Sequence, residues 1–240
     1  MRGEKPLRTE ESLRREDALT VEAGAVVTLD LARLPPARLA GMLAAGEEVL
    51  ECYRVLRKAG LNVVGEVLRG TRKFREYDHY PKGDVYDRET RSQYYYHAHR
   101  GITGEHGHFH TFLRSDDGEG VVHLVAISMD AYGYPTGLFV PNRWVAAGEW
   151  YSVEDVIEML PRFRVDHAGP SWPVNRWISA MLALFAPHIE QMLLAREQTL
   201  SAWRAMRPGE DLLESRELEI LAQAPISVDQ TISEIRRLLS

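Results

Sequence analysis

Residues 94–114, YYYHAHRGITGEHGHFHTFLR, read as two runs of alternating side chains separated by a glycine-containing break. Successive side chains of a β-strand point to opposite faces. Tyr95, His97 and His99 therefore share one face of a first strand. His106, His108 and His110 share one face of a second, with Gly107, Phe109 and Thr111 behind them. If RGITGE closes a hairpin that pairs Arg100 with Glu105, then His99 faces His106, His97 faces His108, and Tyr95 faces His110. Five of the chain's nine histidines then lie on one face, with directly opposed Cβ atoms about 4.5–5.5 Å apart.

Crowded on a neutral, buried face, these imidazoles would leave several ring nitrogens without partners, each costing about 1–3 kcal/mol. A divalent ion binding nitrogen at about 2.0–2.1 Å removes that cost. A face open to water removes it as well, and with it the need for an ion. Local geometry selects His97, His99 and His108 as ligands, with His106 or Glu105 as a fourth. His110 is then an outer-sphere group, an acid/base or a ligand to a second ion, and Glu105, His110 and Tyr95 are the candidate proton carriers. His123 reaches the same face only if the turn RSDDGEG sets an odd-sum register. Ligands of this kind suit Zn, Fe, Mn, Ni or Cu without choosing among them.

Three resemblances attach to these residues. HAHRGITGE, with His97, His99 and Glu105, is similar to the first motif of the cupins, with Glu105 one or two positions later than usual. Val140 stands where the second cupin motif, here PTGLFVPNRW, places its histidine. The resemblance implies a mononuclear metal dioxygenase, isomerase or lyase. HGHFHTF resembles the histidine-triad signature, departing at Gly107 and Thr111. It implies a nucleotide hydrolase or transferase, metal-free, with His108 as the nucleophile. As a block, the segment from HYPKGDVYD through NRWV resembles an uncharacterised bacterial domain-of-unknown-function family, which implies no activity.

The rest of the chain frames the hairpin. VVHLVAISM and GLFVPNRWVA are further strand candidates, and their short connections favour an antiparallel meander over parallel crossovers. PPARLAGMLAAGEEVLECYRVLRKAG spaces its apolar residues by three and four between prolines and Gly60, which predicts a helix. SVEDVIEML opens on a Ser152 cap and stops at Pro161. PVNRWISAMLALFAPHIEQMLLAREQTLSAW reads as two helices or one kinked at Pro187. A last helix begins at Ser227, and AVVTLDL (25–31) is a short strand candidate. The expected fold is α+β: an antiparallel sheet, a meander or a half-barrel, between N- and C-terminal helices. As one domain, 1–240 divides into a flexible arm (1–20), a helical part (21–70), the sheet (71–150) and C-terminal helices (151–240).

Other polar residues have simpler readings. HYPKGDVYDRET, with His79, Asp84 and Asp87, reads as an extended loop, or else as a gate lining the site. Arg143 and Trp144 offer a bidentate anion binder beside an aromatic wall, a candidate substrate contact. His167 and His188 read as capping or core groups, and Asp116, Asp117 and Glu119 as an exposed turn.

A composition of 45% hydrophobic and 27% charged residues is that of a soluble globular protein. With a net charge of −6 there is no basic excess to attract nucleic acid. A lone Cys52 excludes an internal disulfide and reads as a buried, inert thiol. No apolar stretch approaches the roughly 20 residues of a membrane span, and no leader pattern opens the chain. The expected setting is cytoplasmic, with a homo-oligomer left open. Together these features point to a metal-dependent enzyme acting on a small molecule as oxygenase, isomerase or hydrolase. The alternatives are the histidine-triad hydrolase and a non-catalytic metal- or ligand-binding protein.

Overall fold

Seven strands join into one sheet among the described residues, which in this computed structural model are 24–101, 104–115, 120–146 and 148–240. They are β1 (Ala25–Val26), β2 (Tyr80–Tyr86), β3 (Ser92–His97), β4 (Gly107–Arg114), β5 (Val121–Met129), β6 (Pro135–Pro141) and β7 (Ile220–Pro225). Their spatial order is β1-β7-β6-β5-β4-β3-β2. Every neighbour pairs antiparallel except β1, which lies parallel to β7. The sheet ends at β1 and β2 without closing, and with helices before and after it the fold is α+β. The proposed N-terminal arm and the Asp116, Asp117 and Glu119 turn lie outside the described residues.

The sheet departs from the sequence reading in three places. The segment around His79 is edge strand β2 rather than a loop. An edge tolerates Pro81 and Gly83 because only one side must complete a ladder. Strand β7 falls inside the region expected to be purely helical: ILAQAP is a short apolar run with no period to separate strand from helix. Finally, β6 stops at Pro141. Buried Asn142 then donates through Nδ2 to the carbonyls of Leu212 (2.7 Å) and Leu218 (2.9 Å), and the chain turns into a short helix, Arg143–Ala146.

The helices follow their local signals. The first, Pro36–Lys58, starts behind Pro35 and gives way at Gly60, whose φ of +69° suits a residue without Cβ. The Ser152 and Ser227 hydroxyls accept from the backbone N–H groups of Asp155 and Gln230, capping Val153–Met159 and Val228–Leu239. The long apolar pattern divides into Trp172–Leu184 and Ala186–Met206, bent by 64° at the break before Pro187. Among the described residues no single helix is long and apolar enough to cross a membrane. The apolar sides of this pair are core: Trp177, Ile178, Ile189, Met192 and Leu193 are all fully buried.

Alternation assigns the two faces of the sheet different work. Tyr94, Tyr96, Phe109, Val125 and Ile127 turn toward the helices and are completely buried. There Tyr94 donates to Asn175 Oδ1 at 2.6 Å, and Phe109 packs on Trp177 at 5.3 Å between ring centroids. Burying a large side chain of this kind contributes about 1.5–3 kcal/mol, so the helix-facing side supplies the cohesion. The opposite face carries the histidines.

Candidate metal centre

The ladder between β3 and β4 sets Tyr95 opposite His110 and His97 opposite His108. Those four residues, with His99 just beyond the end of β3, lie on the face away from the helices. The rings meet edge to face: centroids are 4.6 Å apart for His97 and His108, 4.9 Å for His97 and His110, and 5.0 Å for His108 and His110. His99 stands 4.9 Å from His97 and 5.0 Å from His108. One ligand nitrogen from each of His97, His99, His108 and His110 lies within 4.8 Å of the others. The cluster could therefore hold a metal ion.

The hydrogen bonds behind the rings sharpen this geometry. His108 donates through Nδ1 to Glu105 Oε1 at 2.8 Å, which leaves its Nε2 with a lone pair. Burial raises the Glu105 pKa, but His108 and Arg100 outweigh it and hold the carboxylate below its ordinary value, so it is ionised. His110 Nδ1 bonds His123 Nε2 at 2.8 Å. When His110 is the donor, its own Nε2 is likewise free to ligate. The Nε2 atoms of His97, His108 and His110 are all buried without a partner among the described residues. Burial, then neighbouring imidazoles, push His97 down to about 2 and His110 well below the usual range. His99 and His108 are lowered too, with burial the leading cause. These are neutral imidazoles, the form that binds metal.

His106 is not brought into this group. It sits at the mouth of β4, where its Nδ1 shares a 2.7 Å hydrogen bond with the Tyr96 hydroxyl and its ring packs on Phe74. Tyr96 belongs to the helix-facing side, so His106 has been drawn away from the other histidines. Gly107 permits this. A Cβ there would stand 2.5 Å from the His97 carbonyl and 2.6 Å from the Tyr96 hydroxyl. Gly107→Ala should accordingly lower stability by about 1–3 kcal/mol, read as a drop in the urea midpoint. An unchanged midpoint would show that the close approach is not maintained in solution.

His123 does join, through a bulge. Near the turn Phe112 pairs with His123, but beyond Thr111 the register slips so that His110 pairs with Ala126. Inserting one residue reverses which side chains share a face. The odd-sum register next to the turn therefore brings His123 beside His110, as a hydrogen-bond partner behind the ligand. Burial lowers its pKa to about 3.

The remaining candidates divide. Glu105 lies behind His108 and forms a 3.3 Å ion pair with Arg100. Tyr95 is stacked between His79, at 3.6 Å, and Phe112, at 5.5 Å, with the His97 and His110 rings beside it. Burial raises its phenol pKa, so it can donate a hydrogen bond but keeps its proton at neutral pH. Arg143 is occupied elsewhere by Glu214 at 3.0 Å and Asp211 at 3.5 Å, and Trp144 donates to the Leu218 carbonyl. Both serve the junction between β6 and the segment before β7, and neither has a contact to the histidines among the described residues. His79 and Arg100 are contributors that spacing did not single out. HYPKGDVYDRET offered His79 in a loop or a gate lining the site rather than as a ring stacked on Tyr95, and Arg100 read as a hairpin residue.

Arg100 and Glu105 line two cavities, of which the smaller borders the cluster directly and the larger meets it through Glu105 and Phe139, both beside His108. The larger, about 430 Å³, extends over Ser128, Gly137 and Phe139, and the smaller, about 290 Å³, borders His99 and His106.

The fold and site thus define an α+β protein with a buried histidine cluster on the open side of an antiparallel sheet. The chain belongs to the family of the domain of unknown function DUF6969, whose profile matches residues 43–226. That span takes in every strand from β2 to β7 and all the clustered histidines. No curated protein and no solved structure matches it.

Proposed function

We propose that this protein is a metal-dependent enzyme whose mononuclear transition-metal centre, held by His97, His99, His108 and His110, acts on a small molecule. One observation carries the reading: four histidines each bring a ring nitrogen within 4.8 Å of the others, and three of them hold a buried Nε2 with no partner among the described residues. Left unpaired, each buried acceptor costs about 1–3 kcal/mol, and an ion is the partner that satisfies several at once. Four neutral imidazoles suit Zn, Fe, Mn, Ni or Cu.

When bound, the ion supplies Lewis acidity or one-electron chemistry. The chain's residues do the rest. Glu105 fixes the tautomer and orientation of His108, and Arg100 keeps Glu105 ionised. The Tyr95 phenol presents a proton at the Tyr95–His110 row. Phe139 closes one side of the cluster against water, 5.2 Å from the His108 ring. The metal-free alternative asks His108 to attack a phosphorus atom, yet its side chain has no exposed surface and imidazoles flank it.

Metal analysis of untagged protein tests this directly. One transition-metal ion per chain is expected, and a cobalt-substituted sample should change its visible spectrum on adding azide, reporting an exchangeable coordination position. A spectrum indifferent to azide would favour a closed, non-catalytic site. Protein that takes up none of the five metals would overturn the proposal. Hydrolysis of an adenylate ester by such metal-free protein, lost in His108→Ala, would install the histidine-triad chemistry.

A further inference from the structure

We infer that the small molecule acted on is a carboxylate, whose anionic end docks on Arg100 in the 430 Å³ cavity that Glu105 and Phe139 separate from His108. This rests on the proposed metal centre and adds the substrate class.

The sheet register builds the cavity. On the histidine face His97 pairs with His108, His108 with Ser128, Ser128 with Gly137, and Gly137 with Pro225. The row that begins as two imidazoles thus continues as a hydroxymethyl group and a glycine. A Cβ at Gly137 would find no atom closer than 3.4 Å, so room remains above it. The next row, Tyr95, His110, Ala126 and Phe139, raises an aromatic wall along one side. Space begins where the histidines end, on the same face. Its volume falls within the roughly 300–1,000 Å³ of small-molecule sites.

Arg100 provides the polar anchor. Its side chain is only 9% exposed, and its guanidinium lies 4.1 Å over the Phe139 ring. Among the described residues its one hydrogen-bond partner is Glu105, through NH1 at 3.3 Å. A guanidinium presents five donors in a planar fork suited to bidentate capture of a carboxylate, and most of that fork is uncommitted.

Charge makes the docking conditional. Arg100 pairs with Glu105 at 3.3 Å, and the Glu219 carboxylate acts electrostatically on Arg100, His99 and His108. With neutral imidazoles the site carries one net negative charge. A divalent ion converts that to one net positive charge, and only then is an anion favoured. Opposite charges a few ångströms apart in a partly dry site interact far more strongly than in water. The metal and the carboxylate should therefore bind with positive coupling.

Benzoate, with benzamide as its uncharged counterpart, serves as the probe, titrated calorimetrically into metal-loaded and metal-free protein with metal content measured on each sample. Benzoate should bind the loaded protein at least about tenfold more tightly than benzamide, and about tenfold more tightly than it binds metal-free protein. Arg100→Gln, loaded with excess metal and compared at its measured metal content, should lose that preference. Arg100→Lys should recover part of it, keeping charge without the fork. Gly137→Leu should block benzoate by filling the cavity while leaving the metal in place. Equal binding of benzoate by wild type and Arg100→Gln, both loaded, would overturn the inference and leave the metal centre standing. So would benzamide binding as well as benzoate, or benzoate binding neither form. Benzoate bound through Arg100 by protein that takes no metal would retain the carboxylate site and remove the metal reading.

Discussion

Alanine at His108 should abolish stoichiometric metal binding, weakening affinity at least about 100-fold, or roughly 2.7 kcal/mol. His108 is at the centre of the group: its ring lies within 5.0 Å of the rings of His97, His99 and His110. Removing it takes away a ligand and also strands Glu105 without the Nδ1–H it accepts. Glu105→Gln keeps the ligands but loses the charged acceptor, so a smaller loss of about 10–100-fold follows, as for other outer partners of ligating histidines. The informative contrast is between two histidines four positions apart. His110→Ala should impair binding severely, whereas His106→Ala should leave stoichiometry and affinity unchanged, because His106 bonds Tyr96 on the other side of the sheet. Competition against a chromogenic chelator reads all four variants. Equal losses from His106→Ala and His110→Ala would return the site to the arrangement expected from alternation alone.

The second large effect is acid instability of the metal-free protein. His97, His123 and His188 have pKa values pushed down to about 2, about 3 and about 4, burial being the leading cause in each. In the unfolded chain they titrate near 6.5. Because their folded-state values are depressed, the unfolded state binds more protons below that pH. Their contribution is complete above about pH 6.5 and is lost progressively as pH falls. At pH 5 the loss is about 2 kcal/mol for each such histidine, and three of them approach the 5–15 kcal/mol that holds a typical domain together. Urea denaturation at pH 7.5 and pH 5 should show the midpoint falling steeply. Metal at a hundredfold excess over its Kd should add about 2.7 kcal/mol near neutrality and progressively less in acid, where protons compete for the same nitrogens. A stability that stays flat between those pH values would mean that the imidazoles are hydrated rather than buried.

Much of the site is legible because alternation is intrinsic to an extended backbone. Once residues 94–97 and 107–114 are strands, Tyr95 and His97 must share a face, and so must His108 and His110. The hairpin's short connection leaves few registers, and the observed pairing of His97 with His108 is the one that joins Arg100 to Glu105. The helices were legible for similar reasons, from caps at Ser152 and Ser227 and breaks at Gly60 and Pro187. What alternation could not convey is where a strand stops obeying it. His106 precedes the first ladder residue of β4, and beyond a strand end a side chain follows the best local partner. Gly107 opened that path to Tyr96. His123 illustrates the converse, since a single-residue bulge at Thr111 and Phe112 reversed the parity of half of β5. Arg143 and Trp144 were misplaced because Asn142 redirects the chain, and its anchors at Leu212 and Leu218 lie some seventy residues away in sequence.

By itself the sequence determined that an antiparallel hairpin here would gather histidines on one face, because covalent geometry alternates side chains wherever a strand forms. Only the tertiary structure decided which histidines met. It kept His97, His99, His108 and His110, sent His106 to the far side, and set His123 and Glu105 behind the ligands. It also placed Ser128 and Gly137 beside the cluster, so that a cavity with Arg100 at its rim opens there. Those choices depend on bulges, strand ends and packing between segments distant along the chain, and no local pattern encodes them.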